Sequence, residues 1–213
     1  MADTPPAAPA APPPKTVLHL GAGAGEPHRL HGMFHAPGWR VVRVDADAAL
    51  KPHIVAPLTD LTQILTGVVQ AVWTMNTLEH LWAHEVPVVF RECARVLSED
   101  GVFMALVPDL QRICALIAKD LLDEAAYSTP AGPIAPLDMM FGYRDGMARG
   151  QTALAYHTGF TAKTITQMLT AAGFGHVKVN RGNLFELLVI AHKRAPLPGP
   201  SEASYKPPDL LPG

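Results

Sequence analysis

The sequence predicts an α/β protein built on one doubly wound sheet of seven strands, the last antiparallel, with helices on both faces. Three observations carry this. Apolar runs and helix-period segments alternate five times along the chain, the pattern of a parallel sheet. The run Val17-Leu18-His19-Leu20 empties into Gly21-Ala22-Gly23-Ala24-Gly25, and a second run, Val41-Val42-Arg43-Val44, ends on Asp45. After a last helix come two short strands around Gly182-Asn183, a hairpin signal that forces one edge strand to run antiparallel.

Taken in order, residues 16–20 read as a strand apolar on both faces, as a central parallel strand is. Pro27 suits a first helical position and opens a helix over about 27–35, with Leu30, Met33 and Phe34 on one face and Gly38 beyond its end. Residues 39–45 form the second strand and 53–56 a weak third. Asp60 then caps a helix over Leu61, Ile64 and Leu65. The fourth strand spans 68–75, and Val86, Val89, Phe90, Cys93, Val96 and Leu97 mark a strongly periodic helix over 85–97.

Ser98-Glu99-Asp100-Gly101 turns into a fifth strand over 102–107. A helix follows Asp109 to about Leu122, with Leu110, Ile113, Cys114, Ile117 and Leu121 on its buried face. The Pro- and Gly-rich stretch 128–150 belongs to an insertion over about 123–158, which reads as a lid because long irregular stretches in compact domains are commonly functional. Thr161 starts a helix over 161–172, stopped by Gly173, and 176–181 with 184–192 make the closing hairpin.

The 213 residues suffice for one core, expected over 15–194. Twelve of the 21 prolines lie at the two ends, so 1–14 reads as a disordered Ala/Pro-rich leader and 195–213 as a flexible tail. A net charge of −2 supplies no basic field for nucleic acid. Cys93 and Cys114 are too few for a disulfide framework and sit at apolar helical spacing, as free core thiols of a reducing compartment. With neither a signal-peptide pattern nor an apolar window of about 18 residues, the expected location is the cytoplasm and no membrane partner is expected.

The glycine spacing identifies the ligand class. A dinucleotide loop of the form Gly-x-Gly-x-x-Gly would place its third glycine at position 26, where this chain has Glu26. A carboxylate there opposes a pyrophosphate, which argues against a nicotinamide-dependent oxidoreductase. Gly-x-Gly-x-Gly suits a nucleoside without phosphates and with an amino-acid moiety over the loop, the shape of S-adenosylmethionine. Asp45, at the next strand's tip, is placed to accept two ribose hydroxyls.

The chain resembles the class I S-adenosylmethionine-dependent methyltransferases, in their small type 11-like bacterial subset, over nearly all of 16–192. The residues that carry the resemblance are Leu18-His-Leu-Gly-Ala-Gly-Ala-Gly25, Val44-Asp-Ala-Asp47, Thr59-Asp60, Asn76-Thr-Leu-Glu-His-Leu81 and Arg91-Glu-Cys-Ala-Arg-Val-Leu-Ser-Glu-Asp-Gly101. The resemblance implies a Rossmann-like sheet and S-adenosylmethionine as cofactor. It implies that Gly21 and Gly23 pack on the methionine portion, with Ala22 between them, and that Asp45 takes the ribose while Ala46 lies along the adenine. Thr59 and Asp60 would lie near the adenine amino group, and Asn76 near the cofactor's amino group. His19 stands where relatives commonly carry Glu or Asp, at the same end of the cofactor. The strand-four tip Trp73-Thr-Met-Asn76 lacks the Asn/Asp-Pro-Pro-aromatic signature of nucleobase amino methyltransferases.

His157, in Tyr156-His157-Thr158-Gly159-Phe160, borders the acceptor pocket of such enzymes and reads either as a catalytic base or as a lid anchor. His80, Tyr143 and Arg144 are candidate substrate contacts. No metal site is expected: His28, His31 and His35 lack companion ligands, and His80 with His84 does not form His-Glu-x-x-His. The expected activity is methylation of a small-molecule or carbohydrate-like acceptor, at oxygen. The alternative is a methyltransferase-like scaffold without catalysis.

Overall fold

The strands are β1 (Lys15–Leu20), β2 (Trp39–Asp45), β3 (Ile54–Val55), β4 (Val69–Met75), β5 (Leu97–Pro108), β6 (Tyr127–Thr129), β7 (Gly132–Ile134), β8 (His176–Arg181) and β9 (Glu186–His192). The helices are α1 (Val86–Val96), α2 (Leu110–Ile117), α3 (Pro136–Phe141), α4 (Arg144–Ala148) and α5 (Ala162–Ala171). This computed structural model describes residues 13–130 and 132–194, so the expectations for 1–12 and 195–213 lie outside the described residues. Seven strands form one sheet in the order β3-β2-β1-β4-β5-β9-β8, with β1 to β5 parallel and β9 antiparallel to both β5 and β8. β6 and β7 pair separately as a small hairpin between α2 and α3.

Because side chains alternate across a strand, the central strands feed two cores. Leu18, Leu20, Val72, Phe103 and Val189 face α1 and α5, where they meet Phe90, Cys93, Ile165 and Leu169. Phe90 and Phe103 meet edge-to-face at 5.6 Å. Val17, Ala71, Trp73, Met104 and Leu188 face the other way and pack under Phe34.

Three local expectations differ. The segment 27–35 is two 3-10 turns, Pro27–Arg29 and Gly32–His35, joined through an extended Leu30. Gly32 and the brevity of the segment leave too little to offset helix nucleation, so Phe34 is buried while Met33 stays exposed. Residues 61–66 are turns, because α1 side chains satisfy their backbone: Leu61 N–H donates to Glu92 at 2.9 Å, and Arg95 donates to the carbonyls of Leu61 and Ile64, each at 2.9 Å. Helix α2 ends at Ile117, and Cys114 is exposed rather than in the core, since the short helix turns Ile113 inward and its neighbour outward. The strand register also shifts between Val69↔Leu97 and Ala71↔Val102, so 98–101 is a bulged excursion within β5. Among the described residues no helix is long and apolar enough to cross a membrane.

Candidate active site

The loop after β1 is bent by Gly21 and Gly23, both left-handed at φ of 60° and 59°. This bend lays the loop on the tip of β2: the N–H groups of Gly21 and Ala22 both approach Val44 O, at 2.9 and 3.5 Å. Gly23 N–H donates to Asp45 Oδ2 at 3.0 Å, and Asp47 N–H donates to Oδ1 at 3.1 Å. Two backbone donors thus fix the Asp45 carboxylate, with lone pairs remaining on both oxygens. Ala46 is exposed beside it. On the other side of the loop, a Cβ on Gly21 would run into the Thr77 side chain.

At the tips of β1 and β4 the polar groups converge. Arg29 donates to Met75 O at 2.8 Å and approaches Gly21 O at 3.5 Å, while Thr77 Oγ1 donates to Met75 O at 3.0 Å. Arg29 Nε is buried without a partner. His19, 2% exposed, has no partner for Nε2, and burial, with Arg29 and Arg43 nearby, lowers its pKa to about 4. Glu79 is 1% exposed and neither oxygen makes a well-formed hydrogen bond; burial raises its pKa to about 8 against the opposing charge of Arg29. Orphaned buried groups of both donor and acceptor kind, beside a glycine cradle, fit a zwitterionic ligand end.

A cavity of about 400 Å³ opens beside these tips. Met75, Asn76, Leu106 and Pro108 floor it from β4 and β5, and Tyr127, Tyr143, Tyr156 and Glu186 wall it. Burial pushes the Tyr127 and Tyr156 phenols up, Tyr156 under the further influence of Glu79 and Tyr127 under that of Glu186. Asn76 has φ of 46°, a left-handed residue at the cavity floor, and its N–H donates to Leu106 O at 2.9 Å.

The structure brings Gly21, Ala22, Gly23, Asp45, Asn76 and Tyr143 to the loop and cavity. Thr59, half-buried, and Asp60, exposed, follow Ala56, whose N–H donates to Asp45 O at 3.0 Å. Asp60 Oδ1 caps a local turn, accepting from Thr62 N–H at 3.0 Å and from its hydroxyl at 2.6 Å, which lowers the Asp60 pKa.

Three expected residues stand elsewhere. His157 does not line the cavity: its ring is exposed and stacks on Trp82 at 4.1 Å, and its N–H donates to Glu79 O at 2.8 Å. His80 uses Nδ1 on Ala155 O at 3.1 Å and its ring edge on Tyr156. Arg144 binds Asp138 and Asp123, each at 2.8 Å, and ties α3 to α4 and to the residues after α2. None of the three lines the cavity: the 155–158 backbone runs against Glu79 and turns Tyr156 inward, and Arg144 is held by its two carboxylates.

Arg29, Glu79, Tyr156 and Glu186 are functional candidates that sequence reasoning passed over. Glu79 lay inside a quoted motif, and a lone acid between Leu78 and His80 in a buried turn was the available signal. Nothing local marks Arg29, whose contact with Met75 O lies 46 residues away along the chain, or Glu186, which reaches the cavity wall by pairing with Pro108 across the sheet.

A family model described as a methyltransferase domain matches residues 18–105, which span β1 to β5 and the glycine loop. No curated protein matches the chain in sequence. Among solved structures, the CMeT domain of the citrinin polyketide synthase is 18% identical over 86% of this chain and 47% of its own, with a TM-score of 0.56. The Burkholderia thailandensis 1,6-didemethyltoxoflavin-N1-methyltransferase, solved with bound 1,6-didemethyltoxoflavin and S-adenosylhomocysteine, is 18% identical over 86% of this chain and 72% of its own, with a TM-score of 0.54. A Pyrococcus horikoshii protein is 14% identical over 84% and 82%, with a TM-score of 0.58. The chain thus spans about half the length of the first of these. At such identities the likeness is one of fold, and the fold is that of the class I methyltransferases, so the resemblance read from the sequence is borne out.

Proposed function

We propose that this chain is an S-adenosylmethionine-dependent methyltransferase acting at oxygen on a small-molecule or carbohydrate-like acceptor. The observation that carries the reading is the Asp45 carboxylate, fixed by Gly23 N–H at the end of β2, on the same edge of the parallel strands as a separate cavity floored by Met75 and Asn76. One ligand site with a fixed carboxylate meets a second, mostly apolar one at the strand tips, the arrangement that in-line transfer between two bound molecules requires.

The residues present fit the cofactor. Asp45 would hold the ribose hydroxyls, with Ala46 along the base and Thr59 and Asp60 toward its amino group. Gly21, Ala22 and Gly23 would lie under the methionine portion, with His19 beneath them. The unpartnered Nε–H of Arg29 is a donor for its carboxylate, and Asn76 and the Gly21 carbonyl stand at its amino end. Bound there, the cofactor supplies an electrophilic methyl group; the chain's own task is alignment and water exclusion. Tyr143 contributes to the acceptor wall, whereas His157, His80 and Arg144 serve the insertion as anchors. The hydroxyl, amide and carboxylate groups in the cavity lining are partners for a hydroxyl-bearing acceptor, which supports oxygen as the accepting atom. The insertion over about 123–158 acts as the lid.

Calorimetric titration with S-adenosylmethionine and S-adenosylhomocysteine tests this. Micromolar binding that Asp45→Ala weakens at least about 100-fold is expected, since two hydroxyl bonds to a carboxylate are lost at roughly 1.5 kcal/mol or more each. Folded protein that gives no heat with either ligand would end the enzyme reading.

A further inference from the structure

We propose that the cavity admits neutral or cationic ring-bearing acceptors and excludes anions, and that Glu186 receives the acceptor's hydroxyl or ammonium hydrogen. The inference rests on the methyltransferase reading for the word acceptor; the charge selection does not.

The charge argument comes first. Asp138 and Glu186 line the cavity, and neither Lys nor Arg is among its described lining residues. The neighbouring guanidinium groups lie outside the lining and are held by other partners, the one unused donor among them, Arg29 Nε–H, standing beside the glycine loop. Arg29 is bound to Met75 O, Arg144 to Asp138 and Asp123, and Arg112 to Gly182 O at 2.6 Å, with its face over Phe185 at 4.7 Å. An anion in this space would lose its water and face two carboxylates, with only hydroxyl, amide and His28 imidazole groups in the lining and no Lys or Arg to offset them.

The walls give the shape. Four rings, Tyr127, Tyr143, Tyr156 and Phe185, line the cavity together with Leu106 and Met139. About 400 Å³ lies within the range that holds a small ring compound.

Glu186 is singled out by its partners. Asp138 is already used, accepting from Arg144 and from Ala135 N–H at 3.0 Å. Glu186 Oε2 is shielded from bulk water and has no partner. Its placement is rigid, as the first residue of β9 opposite Pro108. The turn before it is pinned: Asp109 N–H donates to Phe185 O at 2.7 Å, and Gly182 N–H donates to Glu186 O at 2.9 Å. A Cβ on Gly182 would overlap Glu186 Oε1, so the turn packs directly on that oxygen and leaves Oε2 as the unpartnered one. Phe185 itself has φ of 62°, a costly conformation for an aromatic residue, immediately before the carboxylate that it aims. A strained residue and an orphaned acceptor at one cavity wall point to a ligand donor at that place.

Three probes of one shape test this on the full chain: tyramine as cation, 4-ethylphenol as neutral and 4-hydroxyphenylacetate as anion, by ligand-observed NMR titration at neutral pH. Tyramine and 4-ethylphenol are expected to bind, with the anion at least about tenfold weaker. Glu186→Gln should weaken tyramine about tenfold and bring it level with 4-ethylphenol. Should that variant fail to fold, Glu186→Asp, which keeps the charge but retracts it, is expected to weaken tyramine severalfold. Equal binding of the anion, unchanged tyramine binding in a folded variant, or no binding of any probe at 10 mM overturns the proposal. S-adenosylhomocysteine titrated into the same samples separates the two readings. Its binding without charge selection sinks this inference alone, and charge selection without its binding sinks the methyltransferase reading alone.

Discussion

The Arg29 guanidinium donates to Met75 O at 2.8 Å and thereby ties the segment after β1 to the tip of β4, 46 residues away, while its buried Nε–H faces no acceptor. The same side chain therefore closes the floor of the candidate cofactor site and offers an unused donor to it.

Removing it should cost a carboxylate-bearing ligand more than one without. Arg29→Ala is expected to weaken S-adenosylhomocysteine by about 10- to 100-fold, the worth of a charge-assisted hydrogen bond of roughly 1.5–3 kcal/mol. Adenosine, which lacks the amino-acid portion, should change less than about twofold. Calorimetry with both ligands decides it, and equal losses for the two would assign Arg29 a purely structural role.

Gly21 meets two constraints at once, a φ of 60° and a Thr77 side chain where a Cβ would be. Gly21→Ala should therefore lower stability by about 1–3 kcal/mol and displace the loop that carries Gly23 N–H to Asp45. A second change, Thr77→Gly, removes the clash but not the backbone strain. Urea unfolding of the single and double variants should show partial recovery, on the order of half; full recovery would mean that the left-handed conformation costs nothing here.

His157 and Trp82 lie ring on ring at 4.1 Å and 15° between planes. If His157 anchors the insertion, His157→Phe keeps the stack and retains activity near the parent level, while His157→Ala loses it. The alanine variant should expose the segment around 155–158 to limited proteolysis and lower Tm by a few degrees, for a loss of about 1 kcal/mol. A base would give the opposite pattern, with both variants inactive and the acid limb of the pH–rate profile gone.

The sheet was legible because its signals are local. Val17, Leu18 and Leu20 put apolar side chains on both faces of β1, as burial on both sides demands, and Gly182-Asn183 lies in the turn between β8 and β9. The glycine loop and Asp45 were legible because a fixed spacing carries them to one place. What escaped depends on contacts between distant residues. Nothing near Leu61 shows that Arg95, 34 positions on, will satisfy its carbonyl and forestall a helix. Nor does the string Tyr156-His157 show which ring turns inward; that depends on Glu79 O receiving the His157 N–H. The more chemically attractive residue went outside, and the tyrosine went in.

Glu79 joins the turn after β4 to the stability of the whole chain. Its pKa of about 8 against an ordinary 4.5 means that the folded protein keeps a proton which the unfolded chain releases between those values. Its contribution is therefore fully present below pH 4.5 and is lost as pH rises toward 8, by on the order of 1 kcal/mol per unit. Glu79→Gln, neutral at every pH, should be less sensitive: relative to the parent it gains a few kcal/mol between pH 5 and pH 8 in urea unfolding. His19 works in the opposite direction, its pKa lowered to about 4, so that acidification from 6.5 to 4 costs stability. Because that range ends at 6.5, the difference between parent and variant from pH 6.5 to 8 belongs to Glu79. Parallel pH profiles over that interval would mean that the buried carboxyl is ionised in the folded protein and has a partner there, with Arg29 the nearest cation able to supply one.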